Sequence, residues 1–222
     1  MCGFHGELRF DGARPDRAAH ERINEVLTPR GPDGRGLFED GPLLLGHRRL
    51  KIIDLSEASA QPFVDREAGL AMVFNGCIYN YQELRKELEG RGHAFRSQGD
   101  TEVILRAWAE WGPACLQRLN GMFAFALQDL RSRETWLVRD RLGIKPLYLQ
   151  PLTGGLRFAS SLPALLAGGV EESGIDTTAL HHYLSWHAVV PPPHTLLRGV
   201  RKLPPATILH LDAQGQSREE RY

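Results

Sequence analysis

The second residue of the chain is a cysteine, and this position lets one residue carry both a nucleophile and a base. Removal of Met1, which the small side chain of Cys2 permits, exposes a free α-amino group beside the thiol. Model α-amino groups have a pKa of roughly 7.7 to 8.0, so near neutral pH a useful fraction is unprotonated and can accept the thiol proton. A histidine partner is then unnecessary. Taken alone, however, Cys2 is more simply interpreted as a small residue at the start of a strand.

Three further segments carry polar groups of the types that bind carboxylates, ammonium groups or oxyanions. They are Arg48-Arg49 in GHRRL, Asn75-Gly76 after the apolar run AMVF, and Asp100 in DTE. Each also has a plain structural interpretation: arginines at a solvated strand end, a type I′ hairpin turn, and an N-cap of the helix that follows. The residues alone leave both interpretations open.

Short strands and amphipathic helices, separated by glycine and proline, must position these residues. The pattern predicts an α+β fold with antiparallel sheets. Strands are predicted at Phe4–Phe10, Pro42–Gly46, Leu70–Phe74, Phe123–Leu127, Thr135–Val138, Leu147–Gln150, Leu156–Ala159 and near Thr207–Leu211. Helices, which would cover the sheet faces, are predicted at Arg17–Leu27, Tyr81–Glu89, Thr101–Trp111, Leu162–Leu166 and Thr177–Ser185. The polar C-terminal sequence AQGQSREERY is typical of a linker.

The composition is that of an ordinary soluble globular chain. The 222 residues are 42% hydrophobic, and 27 Lys and Arg balance 27 Asp and Glu, so no net field attracts nucleic acid or an anionic membrane. No apolar run approaches the ~20 residues that span a bilayer, and the N-terminus lacks the pattern of a secretory signal. We therefore expect a cytoplasmic protein with no nucleic-acid or membrane partner, whose three cysteines are reduced.

Several sequence strings, taken together, resemble one known family. RGPDG, GHRRL, FNG with IYNY, DTE, LNGMFAFAL and RDRLGIKPLY follow the order and spacing of the class II glutamine amidotransferases. More narrowly, nearly the whole chain is similar to the N-terminal domain of the glutamine-dependent asparagine synthetase family. Within that family, FNGCIYNYQELR, RFASSLPALLAGG and HHYLSWHAVVPPP most resemble the N-acetylglutaminylglutamine amidotransferases, enzymes of bacterial osmolyte synthesis.

The resemblance implies the fold of the N-terminal nucleophile hydrolases, a four-layer αββα sandwich of antiparallel sheets. It also implies that Cys2 attacks the side-chain amide of glutamine, expels ammonia and leaves a γ-glutamyl thioester for hydrolysis. In the family, the side chain matching Asn75 and the backbone N–H matching Gly76 stabilise the oxyanion of the tetrahedral intermediate. Under this interpretation the chain is an enzyme, a glutaminase domain whose substrate is L-glutamine.

The resemblance also assigns residues to the two charged groups of free glutamine. Arg49 matches the arginine that contacts the α-carboxylate through two N–H groups, a fork that lysine cannot reproduce. Asp100 matches the acid that receives the α-ammonium, and Leu50, Ile52 and Ile53 resemble the segment that lines the glutamine pocket. The match to the motif, not the charge, distinguishes Arg49 from the arginine that precedes it.

One position departs from the family pattern. Many members have a glutamate after the Asn-Gly pair where this chain has Cys77, so a contact to the substrate ammonium is in doubt. We interpret Cys77 as a small apolar packing residue without a base of its own. No metal site is predicted, since His181 and His182 are adjacent on a predicted helix and cannot share one face.

Family members continue into an ATP-pyrophosphatase domain with an SGGxDS phosphate-binding loop, a string that does not occur here. The sequence therefore predicts a glutaminase core over residues 1–170 and a C-terminal extension over 171–222 that leads to such a synthetase domain. ATP and Mg²⁺ would act in that domain, and no cofactor is predicted for the 222 residues themselves. The alternative is a non-catalytic interaction module that keeps the fold. The ammonia acceptor and the oligomeric state are not predicted.

Overall fold

Two six-stranded antiparallel sheets form the centre of the molecule. The computed structural model describes residues 1–172 and 174–222. In these residues the strands, β1 to β12 in chain order, are Gly3–Arg9, Gly34–Asp40, Leu43–Arg49, Phe63–Asp65, Leu70–Ile78, Gly121–Asp129, Thr135–Arg139, Tyr148–Leu152, Gly155–Ala159, Arg201–Lys202, Thr207–Leu211 and Ser217–Arg221. The first sheet has the order β10-β8-β9-β1-β3-β2, and the second has the order β12-β11-β7-β6-β5-β4.

Two of the five described helices begin behind an aspartate that caps them. Helices α1 to α5 are Arg17–Val26, Tyr81–Gly90, Asp100–Trp111, Leu162–Ala167 and Thr177–Ser185. Asp16 Oδ1 accepts a hydrogen bond from Ala19 N at 3.0 Å at the start of α1. Asp176 Oδ1 accepts from Thr178 N and Ala179 N at the start of α5. An aspartate that satisfies otherwise unpaired N–H groups in this way stabilises a helix start by about 1 kcal/mol.

Buried apolar side chains fill the interfaces between four layers. Helices α1 and α4 pack on the outer face of the first sheet through Ile23 and Leu165. Between the sheets, Phe4 of β1 shares a buried cluster with Val73 of β5. Helix α3 covers the outer face of the second sheet through Ile104. The layer order is therefore αββα, and the predicted α+β sandwich of antiparallel sheets is confirmed.

Strand β5 carries apolar residues on both of its faces, and the layers that cover the strand explain this pattern. Successive side chains of a strand point to opposite sides of the sheet. Met72 and Phe74 belong to the buried cluster under the helices, whereas Ala71 and Val73 belong to the cluster between the sheets. Both faces are covered, so the strand carries a nearly continuous apolar run up to the polar residues at its end.

The C-terminal sequence contradicts the linker interpretation. Residues Ser217–Arg221 form β12, which pairs with β11 from Leu211 opposite Ser217 to Thr207 opposite Arg221. The stretch after residue 170 contributes to both sheets, since β10 pairs with β8 and β11 pairs with β7. The boundary between a core and an extension near residue 170 stays a prediction, but the end of the chain is an edge strand.

The hairpin-turn interpretation of Asn75-Gly76 is also wrong. Both residues lie within β5, where Asn75 is opposite Ala124 and Gly76 is opposite Phe123 of β6. The pairing continues to Ile78, beyond the predicted strand end. Strands β2, β4 and β10 were not predicted, because they are short or, in the case of β2, rich in glycine and acidic residues.

Within the described residues, no helix combines the length and apolar character needed to cross a membrane. Helix α3, for example, spans 12 residues. In the same part of the chain, no group of three or more His, Cys, Asp or Glu side chains is arranged to hold a metal ion.

Candidate active site

A cavity of about 270 Å³ lies beside the N-terminus, next to the C-terminal ends of β3 and β5 and the start of α3. Its lining includes every residue to which the sequence assigns a role: Cys2, Arg49, Leu50, Ile52, Ile53, Asn75, Gly76 and Asp100. Met1, Cys77 and Lys145 also line it. The fold therefore brings together chemistry-bearing residues from segments that are far apart along the chain.

Cys2 precedes β1, and hydrogen bonds fix it at the wall of the cavity. Leu50 N donates to Cys2 Sγ at 3.3 Å, and Arg30 Nε donates to Cys2 O at 3.3 Å. Burial raises the pKa of the Cys2 thiol, although the hydrogen bond with the Leu50 backbone and nearby positive charges oppose the shift. The thiolate is the reactive form, so chemistry at Cys2 requires a base. While Met1 is attached, the α-nitrogen of Cys2 is a peptide nitrogen and cannot be that base.

Two buried side chains hold the backbone next to Asn75. Gln61 Oε1 accepts from Phe74 N at 2.7 Å, and His47 Nε2 donates to Phe74 O at 3.1 Å. Burial lowers the pKa of His47 to about 3, so its imidazole is neutral, and donation to a carbonyl requires the proton on Nε2. Both bonds therefore hold the edge of β5 that faces away from β6, directly before Asn75.

Asn75 offers an unused hydrogen-bond donor to the cavity. The residue is 2% exposed, and its Nδ2 has no hydrogen-bond partner among the residues that the structure describes. An unpaired buried donor costs about 1–3 kcal/mol. A ligand oxygen bound at this position would remove that cost, so the side chain is prepared to bind an acceptor.

The N–H of Gly76 faces the same edge of β5 as two N–H groups that are already bonded. Phe74 N donates to Gln61, and Ile78 N donates to Asp100, so alternate residues of the strand point their N–H groups away from β6. Gly76 lies between these two residues and follows the same alternation. Only glycine fits here, because a Cβ atom at position 76 would lie 2.2 Å from Met122 O.

Arg48 and Arg49 point to opposite sides of β3. Arg49 is 7% exposed and lines the cavity, where Nη1 donates to Ser56 O at 2.7 Å and Nη2 donates to Asp54 O. Arg48 instead donates from Nε to Asn24 Oδ1 at 2.7 Å, on the side of α1. Successive residues of a strand face opposite ways. The structure thus places Arg49, and not Arg48, in the cavity.

Asp100 is the first residue of α3, and the N-cap of this helix is Gly99. The interpretation of Asp100 as the N-cap is therefore wrong by one residue. Its Oδ2 accepts a hydrogen bond from Ile78 N at 3.0 Å. Burial raises the pKa of Asp100 to about 6, although backbone hydrogen bonds oppose the shift. A bound ammonium group would favour the ionised form of this carboxyl.

The loop after Arg49 is held to the start of α3 by the carboxylate of Asp54. It accepts hydrogen bonds from Ser56 N at 2.8 Å, Ser59 Oγ at 2.7 Å and Gln98 N at 2.7 Å. Burial acts to raise the pKa of Asp54, but these hydrogen bonds outweigh it and hold the pKa below its usual value. Asp54 is therefore ionised near neutral pH, and its oxygens are engaged within the protein.

Leu50, Ile52 and Ile53 contribute to the apolar part of the cavity lining, together with Phe74 and Met122. Leu50 and Ile53 are half-buried, whereas Ile52 is 71% exposed and reaches the cavity only at its rim. Surfaces of this kind suit the methylene groups of a ligand, because each CH₂ removed from water contributes about 0.8 kcal/mol.

Cys77 and Lys145 are among the lining residues to which the sequence assigned no functional role. Cys77 is half-buried in β5, and burial raises the pKa of its thiol. It lines the cavity and does not belong to the buried core. Lys145 is 3% exposed in the loop after β7, and burial lowers the pKa of its ammonium group. The signal for Lys145 is its place in RDRLGIKPLY, a string that supports the resemblance but marks no residue for chemistry.

Comparisons with known proteins identify the family to which the chain is related. The family model of the glutamine amidotransferase domain matches residues 1–222. Asparagine synthetase (glutamine-hydrolyzing) 3 of Bacillus subtilis (strain 168) is 33% identical over 218 residues, which are 97% of this chain and 35% of that protein. A putative asparagine synthetase (glutamine-hydrolyzing) of Mycobacterium bovis is 42% identical over 225 residues, covering 91% of this chain and 34% of that protein. The chain spans about a third of the length of these curated relatives.

Solved structures show the same fold. Glutamine phosphoribosylpyrophosphate amidotransferase from Bacillus subtilis, complexed with ADP and GMP, matches with a TM-score of 0.74 and 20% identity, over 99% of this chain and 49% of that chain. This likeness confirms the predicted N-terminal nucleophile hydrolase fold. The match of the family model over all 222 residues shows that the chain belongs to the glutamine amidotransferase domain family and is homologous to the N-terminal domains of asparagine synthetases.

Proposed function

We propose that this chain hydrolyses L-glutamine to glutamate and ammonia through a thioester on Cys2. One observation carries the proposal: a single cavity contains a thiol, an unpaired amide donor, a cation and a carboxylate, contributed by Cys2, Asn75, Arg49 and Asp100. These groups complement the reacting amide, the α-carboxylate and the α-ammonium of free glutamine. The fold supports this role but does not by itself imply it.

The chemistry begins after Met1 is removed. The neutral α-amine of Cys2 accepts the thiol proton, and Sγ attacks the δ-carbon of the glutamine side chain. Negative charge develops on the amide oxygen, for which Asn75 Nδ2 and Gly76 N are the donors. The amine then gives its proton to the leaving nitrogen, the C–N bond breaks, and ammonia departs. Water adds to the thioester, its proton passes to the amine, and the C–S bond breaks to give glutamate and the free thiol.

Two charged side chains distinguish free glutamine from other amides. Arg49 is held by the Ser56 and Asp54 carbonyls, and its remaining N–H groups bind the α-carboxylate. Asp100 uses Oδ2 for the backbone N–H of Ile78, and Oδ1 is available for the α-ammonium. Since Cys77 is uncharged at neutral pH, recognition of the ammonium depends on Asp100.

We further propose that the ammonia serves an ATP-dependent, amide-forming synthetase domain that the 222 residues do not include. The names of the relatives support asparagine as the product, whereas the strings FNGCIYNYQELR and HHYLSWHAVVPPP support the amide of N-acetylglutaminylglutamine. A full-length protein incubated with glutamine, ATP and Mg²⁺ should amidate either aspartate or the acetylated dipeptide. Mass spectrometry of the products distinguishes the two.

The glutaminase proposal is tested by replacing the nucleophile. Cys2→Ala should lower ammonia release from glutamine by roughly a thousandfold or more, because the thioester cannot form. Glutamate dehydrogenase, which consumes the ammonia, provides the readout after mass spectrometry has verified removal of Met1 in the wild type. Cys115→Ala, which removes a buried thiol outside the cavity, is the matched control and should stay active. Ammonia release by Cys2→Ala near the wild-type rate would refute the assignment.

A second arm of the same test blocks the proposed base. A chain that keeps Met1, or that carries an N-terminal tag, has no free α-amine on Cys2 and should be inactive at every pH although the thiol is present. Full activity in a homogeneous blocked sample contradicts the N-terminal base. A processed wild-type chain that releases no ammonia would instead support the non-catalytic interaction module.

A further inference from the structure

Lys145 places a buried ammonium group at the wall of the cavity. The residue is 3% exposed, and its Nζ contacts Sδ of Met1. None of the ion pairs formed by residues 1–172 and 174–222 includes Lys145. A buried lysine without a close counter-charge is uncommon, because removal of the ammonium from water costs free energy. When Met1 is removed, Nζ loses this contact and is left facing the space beside Cys2.

The neighbouring carboxylate is positioned so that it does not pair with Lys145 Nζ. Asp140 Oδ1 accepts from Leu142 N at 3.1 Å and Ile144 N at 2.9 Å, and Oδ2 accepts from Phe123 N at 3.2 Å and Lys145 N at 2.9 Å. The carboxylate of Asp140 therefore accepts its hydrogen bonds from backbone N–H groups of this loop and of β6. It fixes where Lys145 lies while its oxygens stay engaged with main-chain N–H groups.

The electrostatic surroundings of Cys2 contain more positive than negative groups. The charged and titratable groups that act on Cys2 or Lys145 are Arg30, Arg49, Cys77, Asp100, Asp140, Lys145 itself and, until it is removed, the α-amino group of Met1. In the proposed reaction the substrate carboxylate neutralises Arg49, and the substrate ammonium neutralises Asp100. Arg30 binds the Cys2 carbonyl through Nε. This carbonyl is uncharged, so Arg30 keeps its positive charge, and Lys145, which forms no ion pair among the described residues, keeps its charge as well. Both charges act near Cys2 throughout the reaction.

We propose that Lys145 is a positioning residue whose positive charge keeps the freed α-amine of Cys2 neutral and able to accept the thiol proton. The inference rests on the proposed function, since it requires that amine to be the base. A nearby cation disfavours the ammonium form of the amine and favours the thiolate, so it moves both groups of Cys2 towards their reactive forms. The thiol proton passes to the amine and then to the leaving nitrogen, while Lys145 keeps its own proton.

The test is the pH dependence of kcat/KM for L-glutamine, measured from about pH 5 to about pH 9.5 across the range where the amine titrates. In the wild type, kcat/KM should rise with pH as the amine loses its proton, and Lys145→Met should raise the midpoint of this acid limb by about one pH unit. At pH values below the midpoint, kcat/KM of the variant should be about tenfold lower than that of the wild type. At high pH the two curves should converge. Lys145→Arg keeps the charge and should retain the wild-type midpoint. Lys202→Met removes a half-buried lysine outside the cavity, which donates to Val190 O, and should leave the midpoint unchanged.

Each other outcome overturns the proposal. An unchanged midpoint in Lys145→Met, or a drop in kcat/KM that is equal at every pH, shows a structural role. A higher KM without a shifted limb shows that Lys145 binds substrate instead. Lys145→Gln provides the same comparison should the methionine variant fail to fold.

A readout without glutamine separates this inference from the proposed function. The rate at which iodoacetamide alkylates Cys2, followed by mass spectrometry, should show its pH midpoint displaced upwards in Lys145→Met and unchanged in Lys145→Arg. The same alkylation midpoint in both variants contradicts an effect of Lys145 on Cys2. A wild-type chain that is alkylated normally but releases no ammonia refutes the glutaminase and leaves the electrostatic effect measurable.

Discussion

The change of Arg49 to lysine tests how the cavity recognises a carboxylate. Two nitrogens of the guanidinium are anchored, because Nη1 donates to Ser56 O at 2.7 Å and Nη2 donates to Asp54 O. These anchors fix the plane of the fork and leave further N–H groups for the substrate. A lysine has one nitrogen, which cannot hold both carbonyls and also present two parallel donors.

The expected loss follows from the bonds that disappear. A hydrogen bond to a charged group contributes about 1.5–3 kcal/mol, so removal of one of the two donors should raise the KM for glutamine about 10- to 100-fold. The α-carboxylate is remote from the amide that reacts, so kcat should change much less than KM. The pattern is therefore a binding defect that high glutamine concentrations largely overcome.

Initial rates of ammonia release at varied glutamine provide the measurement, with Arg48→Lys as the matched control. Arg48 bonds to Asn24 on the other side of β3, so its replacement should change KM less than about threefold, within the small energy of a partly exposed contact. Equal increases of KM in the two variants would show that the cavity arginine does not bind the carboxylate.

Three further predictions concern Asp100 and Gly76. The pKa of Asp100 is about 6, so the KM of the wild type for glutamine should rise as the pH falls through that value. Asp100→Asn should have a higher KM, and that KM should depend less on pH in the same series. The pKa of Asp100 in the folded state exceeds the unfolded value of roughly 3.9, so ionisation of this carboxyl lowers the stability of the fold as the pH rises. Asp100→Asn removes this effect, and calorimetry should show that it raises Tm more at about pH 7 than at about pH 4. Gly76→Ala should destabilise the fold by roughly 1–3 kcal/mol in denaturant melts, because the added Cβ would lie 2.2 Å from Met122 O. Gly90→Ala, where a Cβ meets no atom within 4 Å, should not destabilise.

The strand that carries Asn75 and Gly76 shows where local sequence misleads. An Asn-Gly pair after an apolar run is a strong hairpin signal, since both residues tolerate the positive φ of a type I′ turn. In the fold, β6 pairs with β5 through both residues and on to Ile78, so the chain stays extended. Cross-strand pairing with a distant segment decided the conformation, and this pairing is not encoded in the residues beside Asn75.

The end of the chain misleads for a different reason. Residues Ser217–Arg221 are all exposed and mostly charged, so they lack the alternation by which a half-buried strand is recognised. They nevertheless complete an antiparallel pair with β11 through backbone hydrogen bonds, which side-chain composition does not report. Charged side chains are a common feature of edge strands, where they discourage pairing with another molecule. The same composition therefore fits a linker and an edge strand.

Some residues of the candidate site can be suspected from their residue type, whereas others can be recognised only from their position in the fold. A thiol at position two and a pair of adjacent arginines are noticeable by type, but the resemblance to the family was needed to identify Cys2 as the nucleophile and to choose Arg49 within the pair. A lysine by type is a surface residue. Lys145 becomes unusual only because four backbone N–H groups occupy the Asp140 carboxylate and leave the buried ammonium without an ion-pair partner among the described residues. A charge is uncompensated when the folded chain buries it without an ion-pair partner, so this property cannot be recognised in the unfolded sequence. Variants that remove this charge while leaving the nucleophile intact are therefore the way to measure what the fold adds to the chemistry of Cys2.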